Sequence, residues 1–282
     1  MMWGSNIKSP VQAMTVQAMT AKFKDHFKTV ARQYADSRPT YPEQLFTWLA
    51  AQCPERECAW DCGTGSGQAA RDLAAHFNHV IATDASTSQI QQAQIEQAKL
   101  SQAQGSGQAV IDYRVAPAEM SGLDSATIDL VVVAQALHWF DVDAFHREVS
   151  RVLKPQGIIA EWCYGHIEID NAAVDGLIQH FYADVVGPYW PPERAHVENA
   201  YRKLAFPFAH ITAPAFAMQA LWNLEQLAGY LRSWSATAQY IKIHGTDPVE
   251  ELQQEMLEYW GDAEAGYAIT WPLTLRVGSV RV

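Results

Sequence analysis

The stretch Ala59-Trp-Asp-Cys-Gly-Thr-Gly-Ser-Gly67, answered by His79-Val-Ile-Ala-Thr-Asp84, decides the fold of this chain. A short apolar run ends in Asp61, turns through three alternating glycines and enters a helix-like segment from Gln68 to Phe77. Glycines at such a turn let the backbone approach a ligand closely and adopt dihedrals that a Cβ forbids. The second apolar run ends in another acid, where a carboxylate can hold a ribose diol. This is the layout of a nucleotide-type site at the carboxyl edge of a parallel sheet. Asp84 has a second possible use, as an N-cap for the segment beginning near Ser86 and Thr87.

The glycine spacing narrows the ligand. A dinucleotide fingerprint places its glycines as G-x-G-x-x-G. Gly63 and Gly65 fit, but the third position is Gln68, and the glycine falls one residue early at Gly67. Asp61, two residues before the first glycine, can meet a cationic group.

Between Cys58 and Gly165 strand-like and helix-like segments alternate, which predicts right-handed βαβ units and a parallel sheet. Strands are expected at 58–61, 80–84, 110–115, 128–134 and 157–162, with helices at 87–104 and 141–153. Ile128-Asp-Leu-Val-Val-Val-Ala134 is nearly all apolar, as a central strand covered on both faces must be. Beyond Gly165 the pattern predicts helices at 171–184, 193–203, 224–233 and 248–259, and strands at 211–222 and 267–277. An aromatic, proline-rich segment, Gly187-Pro-Tyr-Trp-Pro-Pro192, interrupts them.

Composition excludes several classes. Hydrophobic residues make up 49% and charged residues 18% of the 282, as in a soluble globular protein. No apolar run approaches the roughly 18–20 residues of a membrane span. The net charge of −11 argues against nucleic acid as the main partner, since backbone binding draws on clustered Lys and Arg. Cys53, Cys58, Cys62 and Cys163 lack paired metal-ligand spacing and read as free thiols of a cytoplasmic protein. Residues 1–20, in which Val11-Gln-Ala-Met-Thr15 repeats as Val16-Gln-Ala-Met-Thr20, read as a disordered or frayed extension without the apolar core of a signal peptide. The domain is expected over 21–282, with a cofactor half at 43–165 and a substrate-covering half at 166–282.

Asp61-x-Gly63-x-Gly65-x-Gly67 resembles motif I of the class I S-adenosylmethionine-dependent methyltransferases. Further segments resemble the small-molecule group typified by trans-aconitate methyltransferase. They are Lys22-Phe23 through Tyr34-Ala-Asp-Ser-Arg38-Pro-Thr-Tyr41-Pro42, Val115-Ala-Pro-Ala118-Glu119 with Asp129-Leu-Val, and Ala134-Gln-Ala-Leu-His138-Trp139-Phe140-Asp141. Tyr230-Leu-Arg-Ser-Trp234-Ser235 and Trp260-Gly261 extend the likeness through the tail.

The resemblance implies an α/β fold with a doubly wound, mostly parallel, seven-stranded Rossmann-like sheet and helical additions over the substrate. It implies an S-adenosyl-L-methionine cofactor and a small-molecule acceptor, with a carboxylic acid among the candidates. By the same likeness Asp61, Gly63, Thr64, Gly65 and Gly67 meet the methionine end of the cofactor, and Asp84 with Ala85 meets the ribose. Ala118 and Glu119 take the adenine neighbourhood, and Tyr34, Arg38 and Ala134 complete the set. Glu119 has a competing reading as a solvated loop acid. Arg38, bracketed by Tyr34 and Tyr41, suits a planar carboxylate of cofactor or substrate, or packs structurally on aromatic faces.

His138 and Trp139 leave the central strand where an acceptor would stand. His138 is the candidate general base, its ordinary pKa being near neutrality, and its competing role is wall or hydrogen-bond donor. Tyr41, Trp139, Trp234 and Tyr240 are the candidate pocket walls. Tyr189, Trp190 and Trp222, with Arg194, Arg202 and Arg232, offer linings for an apolar or acidic substrate. Asp141 and Asp143 read as helix-start acids, so no metal is expected. A nicotinamide oxidoreductase and a non-catalytic cofactor-binding protein are the rival readings. Oligomeric state is not readable.

Overall fold

The computed structural model describes residues 39–104 and 110–280. The expected N-terminal extension and the arm carrying Tyr34 and Arg38 lie outside the described residues. The first half alternates α1 (Glu43–Gln52), β1 (Cys58–Cys62), α2 (Gln68–Leu73), β2 (His79–Asp84), α3 (Thr87–Gln104), β3 (Val110–Val115), β4 (Ile128–Ala134), α4 (Val142–Val152) and β5 (Leu153–Tyr164). β3, β2, β1, β4 and β5 lie side by side in that order, all parallel. The sheet therefore grows in opposite directions from β1, and a crevice opens beyond the carboxyl ends of β1 and β4. Asp61 and the glycine turn sit at that point.

Alternating strand residues feed two cores. Ala59, Val80, Leu130, Val132, Ala160 and Trp162 face one, which α1 and α2 cover with Leu45, Phe46, Leu49, Ala70 and Leu73. Trp60, Ile81, Val131, Val133 and Ile159 face the other, covered by Phe145, Val149 and Val152 of α4. β4 is buried from Ile128 to Val133, which is why its run is apolar without alternation. Asp129 is tolerated there because its Oδ2 accepts from the N–H groups of Glu57 at 3.0 Å and Cys58 at 2.9 Å. Lys154 Nζ pairs with its other oxygen at 2.8 Å. This acid ties three strand beginnings together and stands at the amino edge, away from the crevice.

The second half runs through β6 (Glu168–Ile169), α5 (Ala172–His180), a π-turn (Phe181–Val185), a 3₁₀ turn (Gly187–Tyr189), α6 (Arg194–Glu198), β7 (Ala209–Ile211), β8 (Phe216–Trp222), α7 (Leu224–Arg232), α8 (Ser235–His244), α9 (Pro248–Trp260) and β9 (Tyr267–Ser279). β9 pairs antiparallel with β5, β6, β7 and β8. The described sheet thus has nine strands; seven are long, and β6 and β7 are short additions to the seven expected.

Other differences have local causes. The strand expected at 211–222 divides around Pro214, which has no N–H to give a ladder. β5 begins at Leu153, before the expected 157, because a register shift and a left-handed Gln156 (φ 65°) absorb Lys154-Pro155 as an irregularity. The helix expected over 193–203 stops after Glu198, where Ala200 and Tyr201 turn the chain with φ of 54° and 57°. α1 and α8 went unread, since their apolar residues blend with the aromatic segments beside them.

Candidate active site

Asp61, one residue before the end of β1, is fully buried. The Thr64 hydroxyl donates to its Oδ2 at 2.6 Å. Its Oδ1 is also buried and has no hydrogen-bond partner among the described residues. Burial pushes the Asp61 carboxyl up to about 7, opposed by the Thr64 hydroxyl and the backbone N–H of Ala70, with the charge of Asp84 adding to the rise. A cation or donor brought by a ligand is what such an acid lacks.

The turn after Asp61 is held by its own backbone. Gly63 and Thr64 N–H donate to the Thr83 carbonyl at 2.8 and 2.9 Å, and Gly67 N–H donates to that of Thr64 at 2.9 Å. Gly63, Gly65 and Gly67 have φ of 71°, 55° and 82°, a region that disfavours side chains. The three differ in their surroundings. A Cβ on Gly63 would meet Ala136 Cβ at 2.6 Å, and one on Gly67 would meet the Tyr113 hydroxyl at 2.7 Å. A Cβ on Gly65 would find only Gln89 Oε1, at 4.0 Å. Gly63 and Gly67 are thus glycines for packing as well as backbone, whereas Gly65 leaves open space above the turn.

Asp84 meets that turn from β2. Its Oδ2 accepts from Gly65 N–H at 3.0 Å and its Oδ1 from Ser86 N–H at 2.9 Å. The second bond is an Asx turn across Ala85 that precedes α3; the cap of that helix is Ser86, whose Oγ accepts from Gln89 N–H at 3.4 Å, and not Asp84. The Asp84 carbonyl also accepts from Ala116 N–H at 3.1 Å, drawing the loop after β3 to the same edge. In that loop Ala118 is buried in the α4-side core. Glu119 accepts from Asp141 N–H at 2.9 Å through Oε1, so it bridges two loops. Asp141 itself caps α4, accepting from Ala144 N–H at 3.1 Å.

Beyond Ala134, the last residue of β4, Gln135 takes a left-handed φ of 57°. Its side-chain amide donates to Tyr164 O at 3.0 Å and accepts from Tyr164 N–H at 2.9 Å, replacing a strand's ladder with a side chain. Such strain persists only where surroundings enforce it, and here it launches the 3₁₀ turn Leu137–Trp139. His138 stacks on Trp139 with centroids 4.8 Å apart. Its Nδ1 lies 3.0 Å from the hydroxyl of Tyr201, a buried residue. Burial, reinforced by the charges of Arg194 and His196, drives the His138 pKa down to about 3.

The tail adds a cluster of rings. Trp234 packs against Tyr182 and Trp190, each at 5.6 Å, and against Tyr230 at 5.8 Å. Tyr240 stacks instead with Tyr189 at 5.2 Å and His244 at 4.4 Å. Tyr41 is buried edge-on to Trp162 at 5.4 Å, in the α1-side core, so its ring serves packing. The three tail arginines separate clearly. Arg232 pairs with Asp247 at 2.6 Å, joining α7 to α9; Arg202 is exposed and bonds Asn199 O; Arg194 lies over the rings of Trp190 and Tyr182, at 4.7 and 5.6 Å.

A methyltransferase-domain family model matches residues 60–160, the segment holding both acids and the glycine turn. A Dictyostelium discoideum protein assigned as a methyltransferase is 32% identical over 240 residues, which cover 84% of this chain and 87% of that protein. The chain belongs to the class I S-adenosylmethionine-dependent methyltransferases. The enzyme is also 28% identical over 258 residues to the methyltransferase cfoB of Aspergillus candidus, covering 82% of this chain and 77% of that one. A solved structure assigned as a type II methyltransferase from Anaeromyxobacter dehalogenans matches it with a TM-score of 0.76 at 39% identity, over 86% of this chain and 97% of its own.

The cofactor of this methyltransferase is S-adenosyl-L-methionine, and the residues present fit it. Asp61 has an unmet buried acceptor, Gly65 leaves space over the turn, and Asp84 stands beside both. No helix among the described residues is long and apolar enough to cross a membrane. Sequence reasoning missed Gln135, Tyr182 and Tyr201. Two of them matter through positive φ or a partner some 63 positions away, and neither property leaves a local signal.

Proposed function

We propose that this methyltransferase transfers a methyl group to a small organic acid, within the group typified by trans-aconitate methyltransferase. The observation that carries the methyl-transfer part of the reading is the buried Asp61 carboxylate, one oxygen bare, at the foot of a turn whose central glycine is open. Asp61 and the Gly63–Gly67 turn would hold the methionine end, Asp84 the ribose, and the Ala118–Glu119 loop the adenine. Bound there, the cofactor supplies an electrophilic methyl on a sulfonium. The protein's share is then to orient an acceptor in line and exclude water. His138 and Trp139, projecting from the end of β4, are the walls nearest that task, and the Trp234 cluster covers the acceptor. With its pKa lowered to about 3, His138 is a weak base and is better suited to donate a hydrogen bond from its ring N–H. The four free cysteines, of which Cys53 and Cys163 are pushed up to about 12 by burial, support a cytoplasmic setting rather than a nucleophilic role.

The test pairs S-adenosylhomocysteine calorimetry with label transfer from methyl-labelled cofactor to a panel of small carboxylic acids and phenols. Binding with label appearing on acids is expected. Binding without transfer to any acceptor favours a non-catalytic protein, and nicotinamide-dependent hydride transfer would overturn the assignment.

A further inference from the structure

We infer that Arg194 and His138 together form a binding site for a carboxylate group of the acceptor, an inference that rests on the methyl-transfer reading above. Arg194 begins α6, which packs against the 3₁₀ turn carrying His138. Its guanidinium is stacked on Trp190 and Tyr182. Its Nε donates to the Tyr182 hydroxyl at 3.0 Å, and that hydroxyl donates on to Glu198 at 2.9 Å. These contacts set the plane of the fork and use one of its five N–H groups. The two Nη atoms have no hydrogen-bond partner, and no carboxylate lies within ion-pair reach, among the described residues. The other arginines named as substrate linings are committed elsewhere. A flat, immobilised guanidinium with both Nη groups free matches a carboxylate in shape and charge.

His138 contributes the second donor. The Tyr201 hydroxyl is buried, and its one hydrogen-bond acceptor among the described residues is His138 Nδ1, at 3.0 Å. Were Nδ1 protonated, the phenolic hydrogen would be buried without an acceptor, at a cost of about 1–3 kcal/mol. The hydroxyl therefore donates to Nδ1, and the imidazole hydrogen sits on Nε2. Burial, with Arg194's charge beside it, disfavours protonation of His138, so the imidazole stays a neutral N–H donor. Tyr201 is held for this task. Its left-handed backbone is fastened by Arg276 Nη1, which donates to Tyr201 O at 2.9 Å and Leu204 O at 2.8 Å, and Arg276 is anchored on the buried Glu161.

The experiment uses the full chain saturated with S-adenosylhomocysteine. Succinate, phenylacetate and cinnamate, each beside its neutral amide, are titrated by calorimetry into the wild type, Arg194→Gln, Arg194→Lys and His138→Ala. At least one carboxylate should bind the wild type, with its amide about tenfold weaker or more, a difference near 1.4 kcal/mol. Arg194→Gln should lose about tenfold or more for that carboxylate, with Arg194→Lys and His138→Ala intermediate. S-adenosylhomocysteine affinity should stay within about twofold throughout. Absence of carboxylate binding to the wild type, equal binding of acid and amide, or unchanged affinity in Arg194→Gln overturns the inference. So does loss of cofactor affinity in a folded Arg194 variant, and if Arg194→Gln does not fold, Arg194→Lys decides. Label transfer is scored separately. A wild type that binds carboxylates through Arg194 yet methylates none keeps the site and sinks the acceptor reading.

Discussion

Gly65 donates its backbone N–H to Asp84 Oδ2 at 3.0 Å, so the open apex of the glycine turn and the end of the neighbouring strand form one unit. Asp84→Ala removes both a ligand acceptor and the brace on the turn. We expect S-adenosylhomocysteine affinity to fall by tenfold or more in calorimetry, about 1.4 kcal/mol. Unchanged affinity would sink the ribose assignment and leave Asp84 as a brace on Gly65 and Ser86.

Asp61 makes stability and binding depend on pH. Its folded pKa of about 7 lies above its ordinary 3.8. Below pH 4 the acid is protonated folded and unfolded, and it adds no pH dependence. Between pH 4 and 7 the unfolded chain releases its proton while the folded chain keeps it, so stability falls as pH rises, by at most on the order of 4 kcal/mol. Asp61→Asn should remove this decline, raising the melting temperature of the free protein more at pH 8 than at pH 5. The same variant should weaken S-adenosylhomocysteine binding and flatten its rise between pH 6 and 8. A parallel melting-temperature difference at both pH values would place the Asp61 pKa in the ordinary range.

The glycines of the turn should part company. Gly63→Ala places a Cβ 2.6 Å from that of Ala136, at φ 71°, and should cost about 2 kcal/mol or more in denaturant unfolding. Gly65→Ala has room and should cost only about 1–2 kcal/mol, the left-handed penalty. Its larger effect should be on cofactor affinity, since the methyl group enters space left for the ligand. Equal stability losses with equal cofactor affinity would contradict the distinction.

His138, at a pKa of about 3, stays neutral from pH 5 to 9. Its lowered value means that protonation opposes folding only in acid, below the ordinary value of 6.5, and leaves neutral solution untouched. The pH profile of kcat should therefore carry no limb near 6.5 that disappears in His138→Ala. That variant should keep cofactor affinity. Tyr201→Phe frees the tautomer of His138 and should raise KM for the acceptor several-fold with cofactor affinity intact. A limb near 6.5 that vanishes with His138 would restore it as a general base.

The alternating pattern from Cys58 to Gly165, the two strand-end acids and the glycine spacing were legible because their causes are local. A strand buried on both faces must be apolar throughout, and a left-handed turn must be glycine. From these the sequence alone determined the parallel sheet and the cofactor, and with it the chemistry that cofactor brings. It also located His138 and Trp139 at the end of β4.

Only the tertiary structure decided what those residues can do. Asp129 and Asp61 are both acids in or beside central strands, but the first is saturated by two backbone N–H groups and Lys154, and the second keeps a bare oxygen. Tyr41 and Trp234 read alike in the chain, yet one packs in the core and the other joins the ring cluster. Arg194, Arg202 and Arg232 are distinguished solely by which carboxylates and rings reach them. Tyr201 meets His138 because Ala200 and Tyr201 turn left-handed and Arg276, from the last strand, holds the turn. Partners and desolvation are set by residues far apart in the chain. They fix protonation and hydrogen-bond capacity, and no window of sequence contains them.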